Sequence, residues 1–82
     1  MRVKILYFAV VRELVGREEE SVDLPAHVRT AGAFAAWLPD RVPELAGRMA
    51  SVRVARNEAF AANDEPLAEG DVLALIPPVA GG

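Results

Sequence analysis

The sequence predicts an α+β roll, a curled sheet packed on one main helix, and three observations predict it. Two apolar-rich stretches near the N-terminus alternate as strands, one helical face follows, and short strand-like pieces separated by turn residues complete the chain. The first strand is read over Val3 to Val11, which is rich in Val, Ile, Tyr and Phe. Val3, Ile5, Tyr7 and Ala9 would share one face, and Lys4, Leu6, Phe8 and Val10 the other. Both faces are largely apolar, as in a strand that packs on a helix and meets something else on its outer side.

Arg12 to Val15 fits one helical turn, ended by Gly16, which suits the left-handed conformation at a helix C-terminus. Glu20 to Leu24 then alternates polar and apolar up to Pro25, giving a second strand antiparallel to the first. Thr30 is a helix N-cap, because its hydroxyl accepts from an otherwise unpaired amide. The helix is expected to reach about Leu38, with Phe34, Trp37 and Leu38 on one core face and Pro39 as a stop or kink. Pro43 to Met49 suggests a second short helical piece carrying Leu45 and Met49.

Val52 and Val54 alternate with Arg53 as a half-buried strand, and Asn57 with Glu58 turns the chain into a short strand around Phe60. Glu69, Gly70 and Asp71 form a tight turn that opens the last strand, Val72 to Ile76. Pro77 and Pro78 end it, since neither can donate to a ladder. The organisation is one domain over residues 1–76 followed by an extended tail over 77–82.

Composition narrows the function classes. Cysteine is absent, so disulfides, thiolate metal sites and a cysteine nucleophile are excluded. Net charge is −3 from 12 acidic and 9 basic residues, which gives no basic field for nucleic acid. The N-terminal apolar run is too short for a signal peptide and lacks a cleavage site, and no run of about 20 apolar residues could span a membrane. A soluble, unprocessed, cytoplasmic protein is expected. The lone His27 reads as a surface residue, Glu18 to Glu20 as a solvated stretch, and no catalytic triad, metal-ligand spacing or GxxxxGK phosphate loop is present.

The ending is different. Two rigid prolines, then Val79, Ala80, Gly81 and Gly82, describe an arm that narrows at its tip. Glycine has no Cβ, so such a tip can thread a narrow channel. The terminal carboxylate is an anion at neutral pH and a poor electrophile, so it needs activation, for instance as an acyl-adenylate, before its oxygen can be replaced. A frayed terminus would look the same on composition alone.

Three stretches carry a resemblance over nearly the whole chain: KILYFAVVRELVG, NEAFAANDEPLAEGD and LALIPPVAGG. The chain resembles the small subunit of molybdopterin synthase, a ubiquitin-like sulfur carrier family. The resemblance implies a β-grasp fold and adenylation of Gly82 by a ubiquitin-activating-like adenylyltransferase that uses ATP and magnesium. It further implies thiocarboxylation of Gly82 and sulfur donation to a pterin precursor inside the large subunit, in a heterotetramer. No cofactor or metal is expected on the chain itself, whose role is that of a non-catalytic carrier subunit.

Pro77, Pro78, Val79, Ala80, Gly81 and Gly82 match the inserted arm of the family, and Phe8, Phe60 and Ile76 match an apolar patch for partners. Core burial is the other reading of those three. Arg12 and Glu13 match the opening motif, where a local ion pair or a helical-turn role explains them as well as partner contact does. Phe34 and Trp37 are assigned to the core. Two features depart from the family: Arg56 stands where a small apolar residue is usual, and Pro39 with Pro43 interrupts a helical region that is regular in relatives. The alternatives are a carrier for thiamine's thiazole ring, whose chains are shorter and lack the paired prolines, and a ubiquitin-like protein modifier.

Overall fold

A computed structural model describes residues 1–78. The elements are β1 (Arg2–Tyr7), α1 (Ala9–Val15), β2 (Glu19–Asp23), α2 (Ala31–Arg41), two 3-10 turns (Pro43–Leu45 and Met49–Ser51), β3 (Arg53–Arg56), β4 (Ala59–Phe60) and β5 (Val72–Ile76). The five strands form one mixed sheet in the order β2-β1-β5-β3-β4. Only β1 and β5 run parallel; the other neighbours are antiparallel. This is the β-grasp arrangement the resemblance implied, with α2 as the main helix.

Period-two alternation sorts the sheet into two faces. Val3, Ile5 and Tyr7 of β1, Val22 of β2, Val54 of β3, and Leu73 and Leu75 of β5 point into the core. Phe34 and Leu38 of α2 meet them, both fully buried, and Trp37 packs partly buried at the margin. Each such side chain contributes about 1.5–3 kcal/mol of apolar burial. Leu45, expected as a satellite, is fully buried in the same core.

The first strand is shorter than the alternation suggests. β1 stops at Tyr7, and α1 takes over Ala9 to Val11, because the amides of Val11 and Arg12 turn back to the Phe8 carbonyl. Helical spacing places Val11 in the core with Leu14 and Val15 against it, while Val10 stays exposed. A strand through Val10 and Val11 would have buried neither set together. Gly16 closes α1 as expected, with φ 83° and its amide on the Arg12 carbonyl.

Thr30 caps α2 by accepting from the Ala33 amide at 3.1 Å. The helix runs three residues past Leu38, with Pro39 inside it. Proline removes one amide donor, but the next bond, Val42 N–H to the Leu38 carbonyl at 2.8 Å, is kept and closes the last turn. Beyond it the expected single helical piece is two 3-10 turns, because Ala46 is extended at ψ 129°. Gly32 lets the start of α2 approach the Asn63 carbonyl, which a Cβ would meet at 2.9 Å.

Candidate functional site

Small residues on the central strands and large ones at the sides carve a groove into the outer face of the sheet. Register aligns Leu6, Ala74, Ala55 and Phe60 in one row across β1, β5, β3 and β4. The two alanines make the floor, and Leu6 and Phe60 make the walls. Phe8 and Ile76 close one end and Val72 the other, around an open hollow of about 240 Å³. Phe8 is 45% and Phe60 53% exposed, the large apolar side chains that a compact fold would otherwise bury. Phe8, Phe60 and Ile76 are thus brought together on the outer face, and none of them sits in the core.

Local backbone geometry sets this display. Phe8 is the N-cap residue of α1, extended at φ −120°, and Ala9 next to it has φ 49°. That left-handed alanine turns the chain abruptly from sheet to helix, so that Phe8 is left standing at the groove end. Asn57 and Glu58 connect β3 to β4 with φ 50° and 72°, the pattern of a type I′ turn.

A polar cluster pins that turn to the start of β5. The Asp71 carboxylate accepts from Arg56 Nε at 2.6 Å, Asn57 Nδ2 at 3.0 Å and the Ala68 amide at 2.7 Å. Burial alone would raise its pKa, but Arg56, the Ala68 amide and Asn57 together hold it below the usual carboxylate range. Asn57 also exchanges two hydrogen bonds with the backbone of Val72. Arg56, the departure from the family pattern, is therefore satisfied by Asp71 and by Glu65 at 3.3 Å.

On the edge strand β2, Glu20 accepts from the Tyr7 hydroxyl at 2.6 Å and pairs with Arg41 at 2.8 Å and Arg17 at 3.3 Å. Burial opposes its charge, yet the Tyr7 hydroxyl and the two guanidiniums win and lower its pKa. Tyr7 is pushed upward by burial first and by Glu20 second. The cluster ties β1, β2 and α2 together.

Arg12 and Glu13 both lie exposed on α1, and Arg12 pairs with Glu18 at 3.3 Å. Pro77 and Pro78 border a second depression with Val10, Leu14, Arg48 and Val52. Val79, Ala80, Gly81 and Gly82 lie outside the described residues. Among the described residues no three His, Cys, Asp or Glu side chains gather as a metal site, and no helix is long and apolar enough to cross a membrane. Sequence reading missed Leu6, Ala55, Ala74, Val72 and Glu58 as groove residues. The available signal was the pair of alanines at outward positions of two neighbouring strands.

A model of the ThiS family matches residues 5–82. The chain belongs to the ThiS family. Within it, the chain is 40% identical over 90 residues to a molybdopterin synthase sulfur carrier subunit of Aedes aegypti, covering 100% of this chain and 90% of that one. It is 39% identical over 82 residues to the protein of the same name in Escherichia coli K12, covering 98% and 99%. The resemblance read from the three sequence stretches is borne out. Among solved structures, SAMP1 of Haloferax volcanii, a small archaeal modifier protein, superposes with a TM-score of 0.85 at 32% identity over 100% of both chains. A chain of the complex of subunits 1 and 2 of the Helicobacter pylori molybdopterin-converting factor shares the fold, with a TM-score of 0.70 at 23% identity over 100% of both chains.

Proposed function

We propose that this protein is the sulfur carrier subunit of a molybdopterin synthase, carrying sulfur on the carboxyl group of Gly82. The observation that carries the reading is similarity over nearly the full length of both chains, at 39–40% identity, to relatives that bear this name. The apolar groove beside the base of the arm supports it, because a carrier must dock by its body while its end reaches another protein's active site.

The chemistry follows from the carboxylate. An activating enzyme attaches AMP from ATP to the Gly82 carboxylate with release of pyrophosphate, magnesium accompanying the nucleotide. A sulfur donor then displaces AMP, and one oxygen is replaced by sulfur. The chain has no cysteine, so this sulfur is supplied from outside. The thiocarboxylate enters the large subunit, where its sulfur bonds to the pterin precursor; water then cleaves the acyl C–S bond, leaving the sulfur on the pterin and the ordinary carboxylate on Gly82, ready to be loaded again. Gly82 is a reactant in this cycle, and Phe8, Phe60 and Ile76 hold the partner while Pro77 and Pro78 aim the arm.

Intact mass of the protein isolated from its own host tests the reading. A population heavier by the difference between one sulfur and one oxygen, lost in a strain without the activating enzyme, is expected. Deleting Gly82, or adding one residue after it, should abolish sulfur transfer and leave the fold unchanged; retained cofactor synthesis by either variant overturns the assignment. The similarity to small archaeal modifier protein 1 favours one other reading, conjugation of Gly82 to target lysines. Lysine-linked adducts in the same mass experiment would decide for it.

A further inference from the structure

We infer that Glu58 makes the groove charge-selective: the partner that docks there inserts an apolar side chain and sets a Lys or Arg beside it, against the Glu58 carboxylate. The inference rests on the proposed docking of a large subunit and adds the chemistry of the surface that fits.

Glu58 borders the groove and is the single anion among its lining residues. Its carboxylate makes no ion pair among the described residues, as is true of several other surface acids, but it alone among them stands on the rim of this groove. Its backbone stands at φ 72°, the second central position of a type I′ turn, where glycine is the favoured residue. A left-handed glutamate costs stability that a glycine would not, and such strain is retained where the side chain serves a purpose. Two cations flank the same face. Lys4 is held by Glu19 at 3.2 Å, and Arg53 lies 3.7 Å over the Phe60 ring. Arg53 would repel a partner cation at its own end, so the carboxylate and the guanidinium together give the groove a polarity and leave one orientation for the partner.

Calorimetric titration of the full chain with the large subunit of the same host tests this, with thermal melting of each variant alongside. Glu58→Lys should weaken binding roughly tenfold at low salt and Glu58→Gly roughly threefold, with both losses shrinking at high salt. Glu58→Asp should keep most of the affinity. Glu58→Gly should at the same time raise the melting temperature, a split that a merely structural glutamate would not show. Unchanged affinity of Glu58→Lys, in a titration where Phe8→Asp still weakens binding, overturns the charge selection and leaves the docking reading standing. Absence of binding by the unaltered chain overturns both.

Discussion

Phe8 stands where a strand gives way to a helix, half exposed, with a left-handed Ala9 behind it. A charge there would be buried on docking without a counter-charge, so Phe8→Asp should cost about 2 kcal/mol or more of affinity for the large subunit. Its melting temperature should hardly move, since the side chain is not in the core; a large drop would place Phe8 among the stabilising residues. Thr30 is the reverse case, a residue whose work is entirely local. Thr30→Ala removes the bond from the Ala33 amide and should destabilise by about 1 kcal/mol in urea unfolding, with partner affinity unchanged. Both residues were legible as amino-acid types, Thr30 because capping is a short-range rule. Glu58 was not, because a carboxylate in a turn is ordinary until the register shows which apolar row it borders.

At the level of elements, local chemistry and tertiary packing divided the outcome. The last strand, Val72 to Ile76, lies where its apolar run, the Gly70 turn and the following prolines put it. β1 was read four residues too long, because alternation continues through Val10 in a segment that also satisfies helical spacing at Val11, Leu14 and Val15. The tie was broken by the core, which needed Val11 below the sheet. The end of α2 was misread for a different reason: Pro39 falls late enough that it costs a single hydrogen bond. Pro39→Ala restores that donor and should stabilise the protein by roughly 1–2 kcal/mol, read as a shift of the urea midpoint at constant slope. A loss of stability would mean that the pyrrolidine ring packs better than the amide bonds.

For the whole molecule, two carboxylates, Asp71 buried and Glu20 partly buried, make the fold acid-sensitive. Asp71 joins the hairpin turn to β5, and Glu20 joins β1, β2 and α2; both are held below the ordinary carboxylate pKa. Their contributions are present at neutral pH and are lost as pH falls through their folded-state values, so stability should decline below about pH 4. Asp71→Asn should be less stable at pH 7 and show a flatter acid limb; parallel limbs for the two proteins would show that Asp71 carries none of it. Tyr7, shifted upward, adds the alkaline counterpart, with stability declining above about pH 10 as the unfolded chain ionises first. Neither cluster was visible in the sequence, since Arg56 with Asp71 and Tyr7 with Glu20 are separated by 15 and 13 positions. The topology brings them together, and the topology was legible only through family resemblance.

The sheet order has a mechanical consequence. β5, whose end leads into the arm, lies between β1 on one side and β3 on the other, so it is held by two ladders along its length. Tension on the arm, as when a threaded tail is gripped and the body is pulled away, loads both ladders in shear rather than peeling them bond by bond. An edge strand such as β2 or β4 would meet the same pull with a single ladder. The strand that leads into Pro77 and Pro78 is thus held by two ladders, and a pull applied there has to shear both before that strand comes free.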